Sequence, residues 1–353
     1  MGGVQAGAGR LPREVDTVVV GVGPAGVAVV DRLLRGSDRR LLLLEAGPDF
    51  GPLAAGQWPP ELLDPTLMPV GSHSWGYTSA AATGQPGLPL DRARMIGGCS
   101  SHNGCAAVWG HRGDYDAWEA LGNPGWGAAT LRPLFEEANR RWRVSTPGRA
   151  EITPWHRACL DAGPGAGLPI VAELNDWNQD VDRDPEPDLG IAIGPVNIVG
   201  RLRWNVAFAL LDPLRGHPNL RLAPDTLVDR LLFAGTRCTG LAVVGPSGPA
   251  TIAAGEVILA GGTYGTPAVL LRSGVGPAAE LRRLGIVPRL DLPGVGRGLQ
   301  DHPAFPVRFA GTLELVAAME AFVVAGGLPR EEGTIALAKS SRCDGPFDLH
   351  LYP

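Results

Sequence analysis

The sequence predicts an α/β fold that opens with a βαβ unit. Three observations predict it. Thr17–Val20 is a short apolar, β-branched run, the glycine pattern GVGPAG follows at once at Gly21–Gly26, and a second apolar run at Leu41–Leu44 ends in Glu45.

Each element follows from its residues. Thr17–Val20 is apolar throughout, as in a strand buried on both faces, and it feeds directly into the glycine turn. Gly21 permits the tight turn, Gly23 lets a pyrophosphate approach the backbone, and Gly26 lets the helix pack on the strand. Pro24 suits a first helical turn. The helix runs through Val27–Leu34 and stops near Gly36, where the strand Leu41–Leu44 takes over. Glu45 lies 24 residues after Gly21, at the strand end where a carboxylate holds a ribose 2′-hydroxyl. The unit is therefore Rossmann-like and specifies an adenine dinucleotide without a 2′-phosphate. The pattern GxGxxG alone matches many glycine turns by chance; strand, helix and Glu45 in order make it specific. FAD and NAD both satisfy it.

Composition bounds the rest. A chain of 353 residues predicts about two domains at roughly 150 residues each. Hydrophobic residues make up 44% and charged ones 19%, a globular balance, while 50 Gly and 33 Pro without a period predict many loops. A net charge of -5 with scattered basic residues argues against a nucleic-acid partner. Cys99, Cys105, Cys159, Cys238 and Cys343 form no CxxC pair and no His lies at ligand spacing, so neither a disulfide framework nor a metal site is expected. Residues 1–14 lack the apolar stretch of a secretory signal and no window approaches about 18 apolar residues, which predicts no membrane span and a cytoplasmic location.

Three later segments carry a resemblance. RMIGGCSSHNGCAAVWGHRGDYDAWEALGNPGW at Arg94–Trp126, AGGTYGTPAVLLRSGVGP at Ala260–Pro277 and LPGVGRGLQDHP at Leu292–Pro303 resemble, in order, signature stretches of the glucose-methanol-choline (GMC) oxidoreductases. The resemblance runs from Asp16 to Pro353 and includes ELND and PVNIVGRLR between the signatures. Taken as residues, GGCSSHNG is a small-residue loop that lets backbone approach a flat ring, with Ser100, Ser101 and Asn103 as hydrogen-bonding groups; a helix-capping loop fits it as well. The resemblance implies FAD as cofactor, flavin contacts at Gly97, Gly98, Ser101, Asn103, Gly104 and Cys105, and an adenine contact at the backbone near Val228. SSHN is similar to the choline-oxidase branch of the family, which implies a covalent bond from His102 to the flavin. Such a bond would retain the flavin and make it a stronger oxidant. A neutral histidine hydrogen-bonded within the loop is the plainer alternative.

The resemblance also implies the layout: an FAD-binding domain at 15–150 and 198–308, and an incomplete α+β substrate domain with an antiparallel sheet at 151–197 and 309–353. Within the former, PNLRLAP, LVDRLLF, LAVVG and EVILAGG alternate as short strands. PFDLHLYP resembles an inner strand of the substrate sheet. In the family a His motif beyond this point takes the alcohol proton, and no match to it precedes Pro353, so no catalytic residue is nominated. The implied function is FAD-dependent oxidation of the CH–OH group of a small alcohol, with oxygen or another acceptor reoxidising the flavin; the alternative is a non-catalytic FAD-binding remnant. An NAD dehydrogenase fits the first motif but not the later segments. The Glu331–Glu332 pair could meet a choline-like ammonium, or be a solvated surface pair. Exposed sheet edges and apolar surface are expected.

Overall fold

The computed structural model describes residues 11–81, 86–177 and 189–353. Residues 1–10, most of the stretch read for a leader, and 178–188 within the expected substrate domain lie outside them. The strands of the two larger sheets are β1 (Glu14–Val20), β2 (Leu41–Leu44), β3 (Gly190–Ile193), β4 (Leu220–Ala223), β5 (Leu227–Ala234), β6 (Arg237–Gly245), β7 (Gly248–Leu259), β8 (Thr334–Ala338) and β9 (Leu349–Leu351). The longer helices are α1 (Pro24–Gly36), α2 (Arg112–Ala120), α3 (Ala128–Arg141), α4 (Pro154–Ala162), α5 (Gly262–Arg272) and α6 (Leu313–Val324).

The described chain divides into two compact units, the first within Met1–Pro59, Pro69–His102 and Asn205–Pro306, the second Pro60–Met68, Asn103–Trp204 and Val307–Pro353. The first unit holds a six-stranded sheet of order β4-β2-β1-β7-β6-β5. Its first four strands run parallel and β7, β6 and β5 are antiparallel. The four leucines of β2 are at most 2% exposed because strands flank it on both sides, and each such leucine stabilises the sheet by about 2 kcal/mol relative to exposure. Leu42 and Leu44 share a core with Val18, Val228, Leu241 and Ile252. α1 begins at Pro24 with Gly23 as N-cap, and α5 follows β7 at Gly262.

The second unit holds a three-stranded antiparallel sheet of order β9-β8-β3. Leu160 of α4, Ile191 and Ala336 form its small core, and Thr153 caps α4 by accepting from the His156 amide at 3.2 Å. Among the described residues β9 pairs with β8 alone, and its three residues are exposed. Residues 103–150, expected with the FAD-binding part, belong to this second unit. Trp109, Tyr115 and Phe135 cluster with Trp177 at ring separations of 5.2 to 5.4 Å, so a half-buried aromatic cluster joins α2 and α3 within 103–204.

Candidate functional site

In the first unit two glycine turns meet. Gly21 sits at φ +101, where a side chain is strained, and an added Cβ would strike the Ala260 carbonyl. A Cβ on Gly26 would strike Gly21 itself, so α1 packs directly on the turn. The second turn is Gly97–Gly98, at φ +89 and +53. The Gly97 amide donates to the Val22 carbonyl at 2.9 Å, and a Cβ on Gly98 would lie 2.8 Å from Gly23 Cα. The two turns thus stack backbone on backbone beside the N-terminus of α1, while a Cβ on Gly23 would meet only Gly98 Cα, at 3.9 Å.

Glu45 closes the same cradle. It is 7% exposed, its Oε2 accepts from the Val22 amide at 3.0 Å and its Oε1 from the Gly47 amide at 3.0 Å. Burial pushes its carboxyl up to about 7, against the pull of those amides and of Arg94. A buried carboxyl at the end of β2, next to the first glycine turn, is the chemistry a ribose hydroxyl needs.

The remaining predicted residues fall as follows. A 3-10 turn at Gly98–Ser101 ends on His102, whose amide donates to the Cys99 carbonyl at 3.3 Å. His102 is 5% exposed and Ser101 fully buried, with Ser101 Oγ donating to the Ile96 carbonyl at 3.1 Å. Val228 is buried in β5, and its carbonyl accepts from Arg272 Nη2 at 3.2 Å.

Asn103, Gly104 and Cys105 belong to the second unit. Asn103 Oδ1 accepts from the Cys105 amide at 3.3 Å, and Cys105 sits at φ +67 with its thiol pushed up to about 11 by burial. Arg203 closes the PVNIVGRLR stretch, whose residue types do not mark it for a role. It is fully buried and donates to the carbonyls of Asn103 at 2.9 Å, Leu62 at 2.7 Å, Asp64 at 2.9 Å and Leu67, fixing the Asn103 step from about a hundred residues away. Glu332 lies on Gly104, where a Cβ would strike its carboxylate. Burial, then neighbouring Glu331, push the Glu332 carboxyl up to about 7. Only Glu331 is therefore a solvated surface carboxylate.

The residues present fit a dinucleotide-linked flavin: a twin-glycine cradle at a helix N-terminus, a carboxyl at the second strand end and a buried histidine at the end of the second turn. Among the described residues no helix is long and apolar enough to cross a membrane.

Comparison with known proteins agrees with this geometry. The family model of GMC oxidoreductases matches residues 67–304, and the chain belongs to that family. It is 35% identical over 318 residues to human mitochondrial choline dehydrogenase, covering 84% of this chain and 52% of that protein. The chain spans about half the length of the curated relatives it matches. Among solved structures it is similar to pyridoxine 4-oxidase from Mesorbium loti, with TM-score 0.67, 28% identity, and coverage of 79% of this chain and 55% of the other. It is also similar to an FAD-dependent oxidoreductase from Chaetomium thermophilum, with TM-score 0.71, 25% identity, and coverage of 92% and 62%.

Proposed function

We propose that this chain supplies the FAD-binding domain and part of the substrate-binding domain of a flavoenzyme that oxidises the CH–OH group of a small alcohol to a carbonyl. The observation that carries the proposal is the stacking of Gly98 on Gly23 beside Glu45, which brings a family signature onto the dinucleotide motif. FAD, when bound, accepts the hydride from the alcohol carbon. Gly21, Gly23 and Gly26 with the α1 N-terminus would hold its phosphates, Glu45 a ribose hydroxyl, and the Val228 backbone the adenine. Gly97, Gly98, Ser101, Asn103, Gly104 and Cys105 would hold the flavin. No residue of this chain is assigned to remove the alcohol proton.

His102 is proposed as the covalent anchor of the flavin. Its support is its place in SSHN and its fixed position at the end of the second glycine turn. Glu332 favours a cationic alcohol, since a half-buried carboxylate beside Gly104 would attract an ammonium group, and the human relative is by name a choline dehydrogenase. The five free cysteines support a reducing compartment such as the cytoplasm. Oxygen or another acceptor would reoxidise the flavin.

The test is an absorbance spectrum of the purified chain before and after acid precipitation. Flavin that stays with the precipitate, and is released from His102→Ala, supports both FAD and the bond; flavin in the supernatant keeps FAD and sinks the bond. A colourless chain that takes up no FAD on reconstitution would overturn the proposal in favour of a remnant without cofactor function.

A further inference from the structure

We propose that Ser100 and Asn205 are positioning residues for the cofactor, which lock the twin-glycine turn into the shape the dinucleotide requires. The inference rests on the FAD-binding role proposed above for that turn. Ser100 does not face outward. It is 4% exposed, its Oγ donates to the Gly97 carbonyl at 2.7 Å and accepts from the Val206 amide at 3.1 Å. Asn205, fully buried, takes the Phe208 amide on its Oδ1 at 3.2 Å and lies against Gly97, where an added Cβ would come 3.7 Å from Asn205 Cγ.

Both bonds serve amides at the start of a π-helical turn, Ala207–Leu211. Such turns are rare and concentrate at functional sites. This one is anchored through Phe208, whose ring lies 4.7 Å from that of Trp58. The consequence falls on the cradle. Gly97 keeps φ +89 only while its carbonyl is held, and Gly98 approaches Gly23 to backbone contact only while Gly97 keeps that angle. Removing the Ser100 hydroxyl strands the buried Val206 amide and frees the Gly97 carbonyl together.

The experiment measures FAD affinity and the visible flavin spectrum of the full chain in a His102→Ala background, so that uptake is reversible, in the cold and well below unfolding. Ser100→Ala is expected to weaken FAD by ~10-fold, and Ser100→Thr, which keeps the hydroxyl, to restore most of that loss. With FAD saturating, Ser100→Ala should still show a displaced flavin band, which mere loss of stability would not produce. Should Ser100→Ala fail to fold, Asn205→Ala, which removes the acceptor for Phe208, is expected to give the same two changes, and Asn205→Asp, which keeps that acceptor, to restore most of the loss. Variants of lowered melting temperature that keep parental affinity and spectrum would overturn the proposal. Failure of the His102→Ala parent to take up any FAD would instead remove the functional role on which it rests.

Discussion

Glu45 shows what one residue decides. Its folded carboxyl is raised to about 7 from an ordinary 4.5, so between those values the folded chain binds a proton that the unfolded chain does not. The sign follows: the contribution is fully present below about pH 4.5 and is lost as pH rises through 7. The loss amounts to roughly 3 kcal/mol at about 1.4 kcal/mol per pKa unit. Urea unfolding of the flavin-free chain should therefore give a lower midpoint at pH 8 than at pH 5, and Glu45→Gln should flatten that difference. FAD should bind more tightly as pH rises over the same range, because a ribose hydroxyl donates to the ionised carboxylate. The place of Glu45 at the end of β2 was legible in the sequence because it depends on a short spacing within one βαβ unit. Asn205 and Arg203 were not, since each acts on a glycine step about a hundred residues away and no local pattern connects them. Glu332 was legible only as half of an acidic pair, because nothing in the sequence tells which carboxylate folds onto Gly104.

At the scale of elements, the turn-forming glycines differ sharply in what they tolerate. Gly98 is at φ +53 with Gly23 Cα 2.8 Å from where a Cβ would stand. Gly98→Ala should thus cost about 2 to 3 kcal/mol through backbone strain and overlap, and abolish FAD uptake in the surviving protein. Gly36, the last residue of α1, has no atom within 4 Å of that position. Gly36→Ala should be neutral or stabilise by about 0.5 kcal/mol, because alanine narrows the unfolded ensemble and prefers helix. Thermal unfolding of the two variants side by side checks both. The elements that carry motifs were the ones read closely from sequence: Thr17–Val20 lies within β1, and Leu41–Leu44 is β2. The hairpin of β6 and β7 extends well beyond LAVVG and EVILAGG, since β7 starts at Gly248 and alternates small exposed with buried residues through Ala250–Ala254. Such a half-exposed stretch carries too little apolar character to announce itself as strand.

For the molecule as a whole, the antiparallel sheet was legible only through resemblance. Its pairing of β3 with β8 joins residues about 140 positions apart, and no local period predicts a partner at that distance. Each compact unit holds a hydrophobic cluster of its own, and this makes a prediction about unfolding. The cradle proposed for the adenosine half of FAD, from Gly21 to Glu45 with Val228, lies wholly in the first unit. A ligand that binds only the folded form of a unit stabilises it by about 2.7 kcal/mol at a hundred times its Kd. ADP carries that half of the cofactor without the ring. Calorimetry of the flavin-free chain with increasing ADP should therefore raise the transition that reports the parallel sheet and its leucine core, and leave the transition reporting α4 and the β9-β8-β3 sheet in place. The assignment can be checked by Leu42→Ala, which should lower the ADP-sensitive transition, and Leu160→Ala, which should lower the other. A single transition that ADP shifts as one would show that the two cores unfold together, and a pair of transitions both indifferent to ADP would remove the adenosine site from the first unit.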